Sequence, residues 1–150
     1  MERYTLNKNA EGYTDLTALE GIKRADKGKT NKQRVTEAQE QKSLIEWAKW
    51  QEKKYPELKL LYHCPNGGTR NKMEAANLKR QGVKAGVPDL FLPVPRGNSH
   101  GLFLEMKVGR NKCTDNQKKW IRALMEQGYE VKVCYSAEEA IQIIKRYLGI

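Results

Sequence analysis

The sequence predicts an α/β domain in which helices flank a mixed central sheet on both faces. From residue 36 onward, helix-like and strand-like segments alternate in the order α-β-α-β-β-α-β-α, and such alternation packs helices against a sheet. Two capping boxes, Thr36 with Gln39 and Thr114 with Gln117, each open an apolar stripe at helical spacing. Two short apolar runs, 89–92 and 102–108, flank the polar turn 96–100 and read as a hairpin.

Each element has its own warrant. The first helix runs from Thr36 to about Lys54, with Leu44, Ile45, Trp47, Ala48 and Trp50 on and near one face, and Pro56 ends it. Residues 59–64 read as a strand, and Pro65-Asn66-Gly67-Gly68 is a turn by composition. Residues 71–81 read as a helix with Met73, Ala75 and Leu78 as its apolar positions, stopped by Gly82. After the hairpin comes a helix over 114–127, striped by Trp120, Ile121, Leu124 and Met125 and closed by Gly128. Residues 130–135 alternate as a strand. Ser136 with Glu139 then caps a last helix striped by Ala137, Ala140, Ile141, Ile144 and Leu148.

Composition narrows the function. The chain has 150 residues and a net charge of +10. Such an excess favours a polyanionic partner. No apolar run approaches the roughly 20 residues of a bilayer span, and the start of the chain lacks the apolar core of an export signal. Cys64, Cys113 and Cys134 are far apart and form no CxxC pair, so a reducing cytoplasm is expected, with the cysteines as packing residues. With two histidines only, a zinc site is not expected. Residues 1–35 are poor in strong hydrophobes and read as a basic, flexible extension; 36–150 read as the folded domain.

The chemistry gathers around the hairpin. Side chains alternate along a strand, so Leu102, Leu104 and Met106 share one face and Phe103, Glu105 and Lys107 the other. A carboxylate and an ammonium on a core strand are costly unless they are paired or bind something. Hairpin pairing brings Asp89 beside Glu105. Two adjacent carboxylates repel, and a divalent cation relieves that repulsion; oxygen ligands suit Mg²⁺ or Mn²⁺. Lys107 would then hold a water or neutralise charge in the transition state. By spacing alone, a surface Glu–Lys pair and a turn-capping Asp remain an alternative.

In context these residues resemble the PD-(D/E)xK nuclease superfamily, and within it the VRR-NUC domain in a stand-alone, phage-like form. The resemblance rests on Thr36-Glu37-x-x-x-Gln41, Pro65-Asn66-Gly67-Gly68, Leu78-Lys79-x-x-Gly82-Val83-Lys84-Ala85-Gly86-Val87-Pro88-Asp89-Leu90, and Gly101-Leu102-Phe103-Leu104-Glu105-Met106-Lys107. Asp115-Asn116-Gln117 and Gly128-Tyr129-x-Val131 complete it. It implies a restriction-endonuclease-like α/β/α core and metal-dependent cleavage of DNA, with Mg²⁺ or Mn²⁺ as cofactor. Asp89, Glu105 and the backbone carbonyl of Met106 would be metal ligands, and Lys107 the catalytic lysine. Glu37 matches the glutamate that opens the first helix and would reach the metal, with Gln41 one turn on; Gln117 matches a glutamine directed at the site. A homodimer acting on branched DNA such as four-way junctions is also implied, in the cytoplasm of a bacterial or virus-infected cell.

Several readings stay open at this level. Glu40 shares the face of Glu37 and competes with it as ligand. Gln117 is either the second half of a capping box or a site residue. Asn66, Gly67 and Gly68 form either a plain turn or a close approach to a phosphate. Arg70, Lys79 and Lys84, with the basic residues from Arg110 to Arg122, suggest a rim that tracks phosphates. A surplus of apolar surface at Trp47, Trp50 and Tyr55 hints at self-association. A nicking or flap-cleaving enzyme, and a non-catalytic DNA-binding module, are the alternatives in function.

Overall fold

The computed structural model describes residues 35–65 and 72–150. The expected extension 1–35, apart from Val35, and the candidate contacts Asn66, Gly67, Gly68 and Arg70 lie outside the described residues.

The elements are α1 (Glu37–Gln51), a 3-10 turn (Pro56–Leu60), β1 (Tyr62–His63), α2 (Lys72–Arg80), β2 (Leu90–Leu92), β3 (Leu102–Met106), α3 (Asp115–Glu126), β4 (Glu130–Cys134) and α4 (Ala137–Leu148). The sheet order is β1-β2-β3-β4. The first two pairings are antiparallel and β3–β4 is parallel, so the sheet is mixed. Parallel pairing needs a crossover, and α3 supplies it.

The alternation along β3 divides the core into two layers. Leu90, Leu92, Leu102, Leu104 and Met106 pack with Leu44 and Ala48 of α1 and Ala140 and Ile144 of α4. On the opposite face Phe103 packs with Ile121 of α3 and Val131 of β4. There Phe91 stacks on Phe103 with ring centroids 4.0 Å apart, and Tyr129 meets both rings edge-on, geometries that suit the aromatic quadrupole. Helices therefore cover both faces of the sheet.

Three expectations at the level of elements need correction. The strand read over 59–64 is only Tyr62–His63, because Pro56 starts a 3-10 turn that takes up Lys59 and Leu60. Proline at the first turn of a helical segment is preorganised for it. Trp50 does not join the buried stripe of α1: it is 84% exposed, while Leu44 and Ala48 face the sheet and Trp47 packs at the edge of the core. On α2, Met73 is 81% exposed, Ala75 is exposed and only Leu78 is half-buried. Apolar spacing did not decide burial in a nine-residue helix standing at the rim of the sheet.

Candidate active site

The site forms where β3 leaves the sheet. The register Leu90↔Leu104 continues outward to set Asp89 against Glu105. Asp89 is fixed from two sides. Its Oδ2 accepts from Met106 N at 2.7 Å. Its backbone carbonyl accepts from Cys64 N at 2.8 Å and from His63 Nδ1 at 2.8 Å. The short strand β1 thus holds the Asp89 backbone, with the exposed His63 donating from Nδ1.

Glu105 is fully buried on the α3 side of β3, in line with Phe103. Lys107 is 5% exposed. Its Nζ donates to Glu105 Oε1 at 2.5 Å and to the Met106 carbonyl at 3.1 Å. Glu37 Oε2, at the start of α1, stands 3.8 Å from the same ammonium. Gln117 Nε2 also donates to Glu105 Oε1. Among the described residues, Glu105 Oε2 is the buried side-chain polar atom without a hydrogen-bond partner.

The charges follow from this packing. Burial, and next the charge of Asp89, push the Glu105 carboxyl from 4.5 up to about 7, against the lowering pull of Lys107. Burial alone would lower the Lys107 pKa, but its hydrogen bond to Glu105 and the charges of Glu105, Glu37 and Asp89 outweigh it and raise it. Lys107 is therefore an ammonium at neutral pH and acts as a donor. Because the folded state holds the Glu105 proton more tightly than the unfolded chain, the stability this group contributes is present below about pH 4.5 and is lost as pH rises toward 7. In EDTA, the protein should lose on the order of 3 kcal/mol between pH 4.5 and 8 through Glu105. Glu105→Gln should flatten that slope. Urea unfolding of both proteins across this range checks it; parallel slopes would contradict it.

Geometry separates the residues of two alternatives left open by the sequence. Glu40 Oε2 accepts from Ala137 N at 2.6 Å, so its carboxylate caps α4, whereas Glu37 faces Lys107. Gln117 fills both of its roles at once. Its Oε1 accepts from Thr114 N at 2.8 Å, completing the capping box, and its Nε2 reaches Glu105. Gln41 lies one turn beyond Glu37, half-buried. Lys79 and Lys84 are exposed, on α2 and on the segment behind it, outside this hydrogen-bonded cluster.

Asn111 is a residue that sequence reading passed over. Its Nδ2 donates to Glu37 Oε1 at 3.0 Å across 74 positions of chain. It stands between Arg110 and Lys112 in a basic stretch, and no local pattern marks it.

Among the described residues, no three His, Cys, Asp or Glu side chains converge as a ready metal cage. What is present still suits a hard cation. Asp89, Glu105 with its unpartnered oxygen, and the Met106 carbonyl are all oxygen donors at the end of one strand pair.

A mixed sheet between helices, with two carboxylates and a buried lysine where the hairpin ends, defines a restriction-endonuclease-like core. Comparison with known proteins is specific. A model of the VRR-NUC domain matches residues 27–138. A solved structure described as a VRR_NUC domain protein is 34% identical, with a TM-score of 0.66, over 78% of this chain and 91% of that one. Comparison with curated proteins gives no match. The chain belongs to the VRR-NUC family, and so carries a nuclease domain. No helix among the described residues is long and apolar enough to cross a membrane.

Proposed function

We propose that this chain is a divalent-metal-dependent DNA endonuclease that hydrolyses phosphodiester bonds, with a preference for branched DNA such as four-way junctions. The observation that carries the metal is Glu105. A carboxylate with one oxygen unpartnered in the interior, beside a second carboxylate, costs several kcal/mol, on the order of the desolvation of one ion, unless a cation takes that oxygen. Asp89, Glu105 and the Met106 carbonyl would hold Mg²⁺ or Mn²⁺, with Glu37 near enough to contribute directly or through a water. When bound, such an ion lowers the pKa of a water and stabilises charge on a phosphoryl oxygen.

The remaining roles belong to the protein. Lys107, kept protonated by its acidic neighbours, donates to the oxygen on which charge grows. Gln117 keeps Glu105 Oε1 turned toward Lys107, leaving Oε2 for the cation. Asn111 holds Glu37 at the rim. Exposed Lys79, Lys84, Arg110, Lys112, Lys119 and Arg122 supply cations for the DNA backbone. The strongly exposed Trp50, with Leu60 and Tyr62 about half-exposed, supports a homodimer, whose two-fold axis would set two sites on opposite strands.

The test is cleavage of a labelled four-way junction, a flap, a plain duplex and a single strand, each with Mg²⁺, Mn²⁺ or EDTA, alongside light scattering for mass. Symmetric metal-dependent cuts confined to the junction, from a protein of twice the chain mass, are expected. Cutting of flaps by a monomer would keep the chemistry and remove the junction preference. Binding of all four DNAs without cutting any would leave a non-catalytic module.

A further inference from the structure

A half-open groove of about 820 Å³ runs beside the candidate site. Val35, Glu40, Val108, Arg110, Asn111 and Tyr135 are among its walls. It is continuous with the catalytic cluster through Asn111, which lines the groove and also holds Glu37. Its volume lies within the range of small-ligand sites.

The groove is poorly suited to a phosphate over most of its length. It borders the start of α4, where helix N–H groups usually attract anions. Here two of those donors already serve the protein, Ala137 N donating to Glu40 and Glu139 N to Ser136 Oγ, and the preceding Tyr135 N donates to Glu139. Glu40 adds a carboxylate to the wall. Val35, Val108 and Tyr135 bring apolar groups to the lining, and Arg110 supplies a cation at an exposed position. Such a lining fits the uncharged part of a nucleotide, its base and sugar, with a phosphate only at Arg110. A paired duplex presents the opposite: phosphates outward, bases within the stack. A base can enter only from an unpaired position or by leaving the stack.

We infer that this groove receives one unpaired nucleotide next to the cleaved bond, its base against Tyr135 and its phosphate at Arg110. The inference rests on the nuclease reading of the adjacent site. It makes a nucleotide that can leave its stack beside the cut, as at the centre of a branched DNA, a feature by which the enzyme selects its substrate.

The experiment uses the full chain in EDTA and two DNAs of equal length, one fully paired and one with a short unpaired stretch. The fluorescent base 2-aminopurine is placed at successive positions. In the wild type, binding should change the fluorescence at one unpaired position. Tyr135→Ala should abolish that change and weaken binding of the interrupted DNA about tenfold, as expected for loss of one base–aromatic stack. Affinity for the paired duplex should change less than about twofold, and Tyr135→Phe should behave as wild type. Tyr135→Leu, which keeps the apolar volume without the ring, gives the same test should the alanine variant melt early. Arg110→Ala should reduce the salt dependence of binding by about one phosphate contact. Unchanged discrimination in the Ala and Leu variants, or equal loss on both DNAs at an unchanged melting temperature, overturns the inference. Cleavage by the wild type with Mg²⁺ is followed in parallel. Cutting that ignores Tyr135 removes the groove and leaves the nuclease. A position-specific fluorescence change without any cutting removes the nuclease reading and leaves a nucleotide site.

Discussion

Lys107→Met should abolish cleavage, by about a hundredfold or more, and still give a folded protein at pH 6. Removing one partner of a buried ion pair ordinarily costs about 3–5 kcal/mol, because the other charge is stranded. Glu105 has a way out. It already sits at about 7, and Lys107 is among the groups that hold it down. Without the ammonium its pKa rises further, so at pH 6 the carboxyl takes a proton and no charge is stranded. Above pH 7 the cost of keeping it protonated grows by about 1.4 kcal/mol per pH unit, until ionising it unpaired becomes the lesser cost. The variant should therefore be close to wild type in urea at pH 6 and clearly weaker at pH 8. Single-turnover cleavage with Mg²⁺ reads the catalytic loss separately. Destabilisation of equal size at both pH values would mean that Glu105 does not titrate in this way.

Gly86→Ala should be the most damaging single-methyl change around the site. Gly86 has φ +91°, and a Cβ there would stand 2.8 Å from the Asn116 carbonyl carbon, which is backbone at the start of α3. The positive φ costs a side chain about 1–2 kcal/mol, and the clash requires the 86–88 segment and α3 to move apart. Asp89 lies three residues beyond and Gln117 next to Asn116, so the movement strains the bonds of Asp89 to Met106 N and of Gln117 to Glu105. A total loss of about 3 kcal/mol is expected, with weaker cation binding by calorimetry. Gly82→Ala is the control. Its φ is +95°, but nothing lies within 4 Å of the added methyl, so only the backbone cost of about 1–2 kcal/mol applies. Equal effects from the two substitutions would show that the contact with Asn116 is unimportant.

Much of the fold could be read from local rules. Both capping boxes form as their residues predict. The β2–β3 hairpin is in place, with Phe103 and Glu105 on the face opposite Leu102, Leu104 and Met106. These features depend on hydrogen bonds within four residues or on the two-residue period of a strand, both written directly in the chain. Burial was less legible. Trp50 and Met73 sit at helical spacing with their apolar neighbours and yet face outward, since spacing fixes which residues share a face and not how far the covering layer extends.

The candidate site divides along the same line. The sequence by itself singled out the groups expected to carry chemistry, Asp89, Glu105 and Lys107, and the hairpin that brings them together, because adjacent strands fix register within a few residues. Only the tertiary structure separated Glu37, which faces Lys107, from Glu40, which caps α4. Both lie in the first turn of α1, and the choice depends on α4 coming close enough to engage Glu40 through Ala137 N. Only the tertiary structure, too, showed that Gln117 caps its own helix with one end of its amide and holds Glu105 with the other, and brought Asn111 to Glu37. Contacts across such distances arise from the packing of whole layers, and the burial that pushes Glu105 up to about 7 is a property of those layers together.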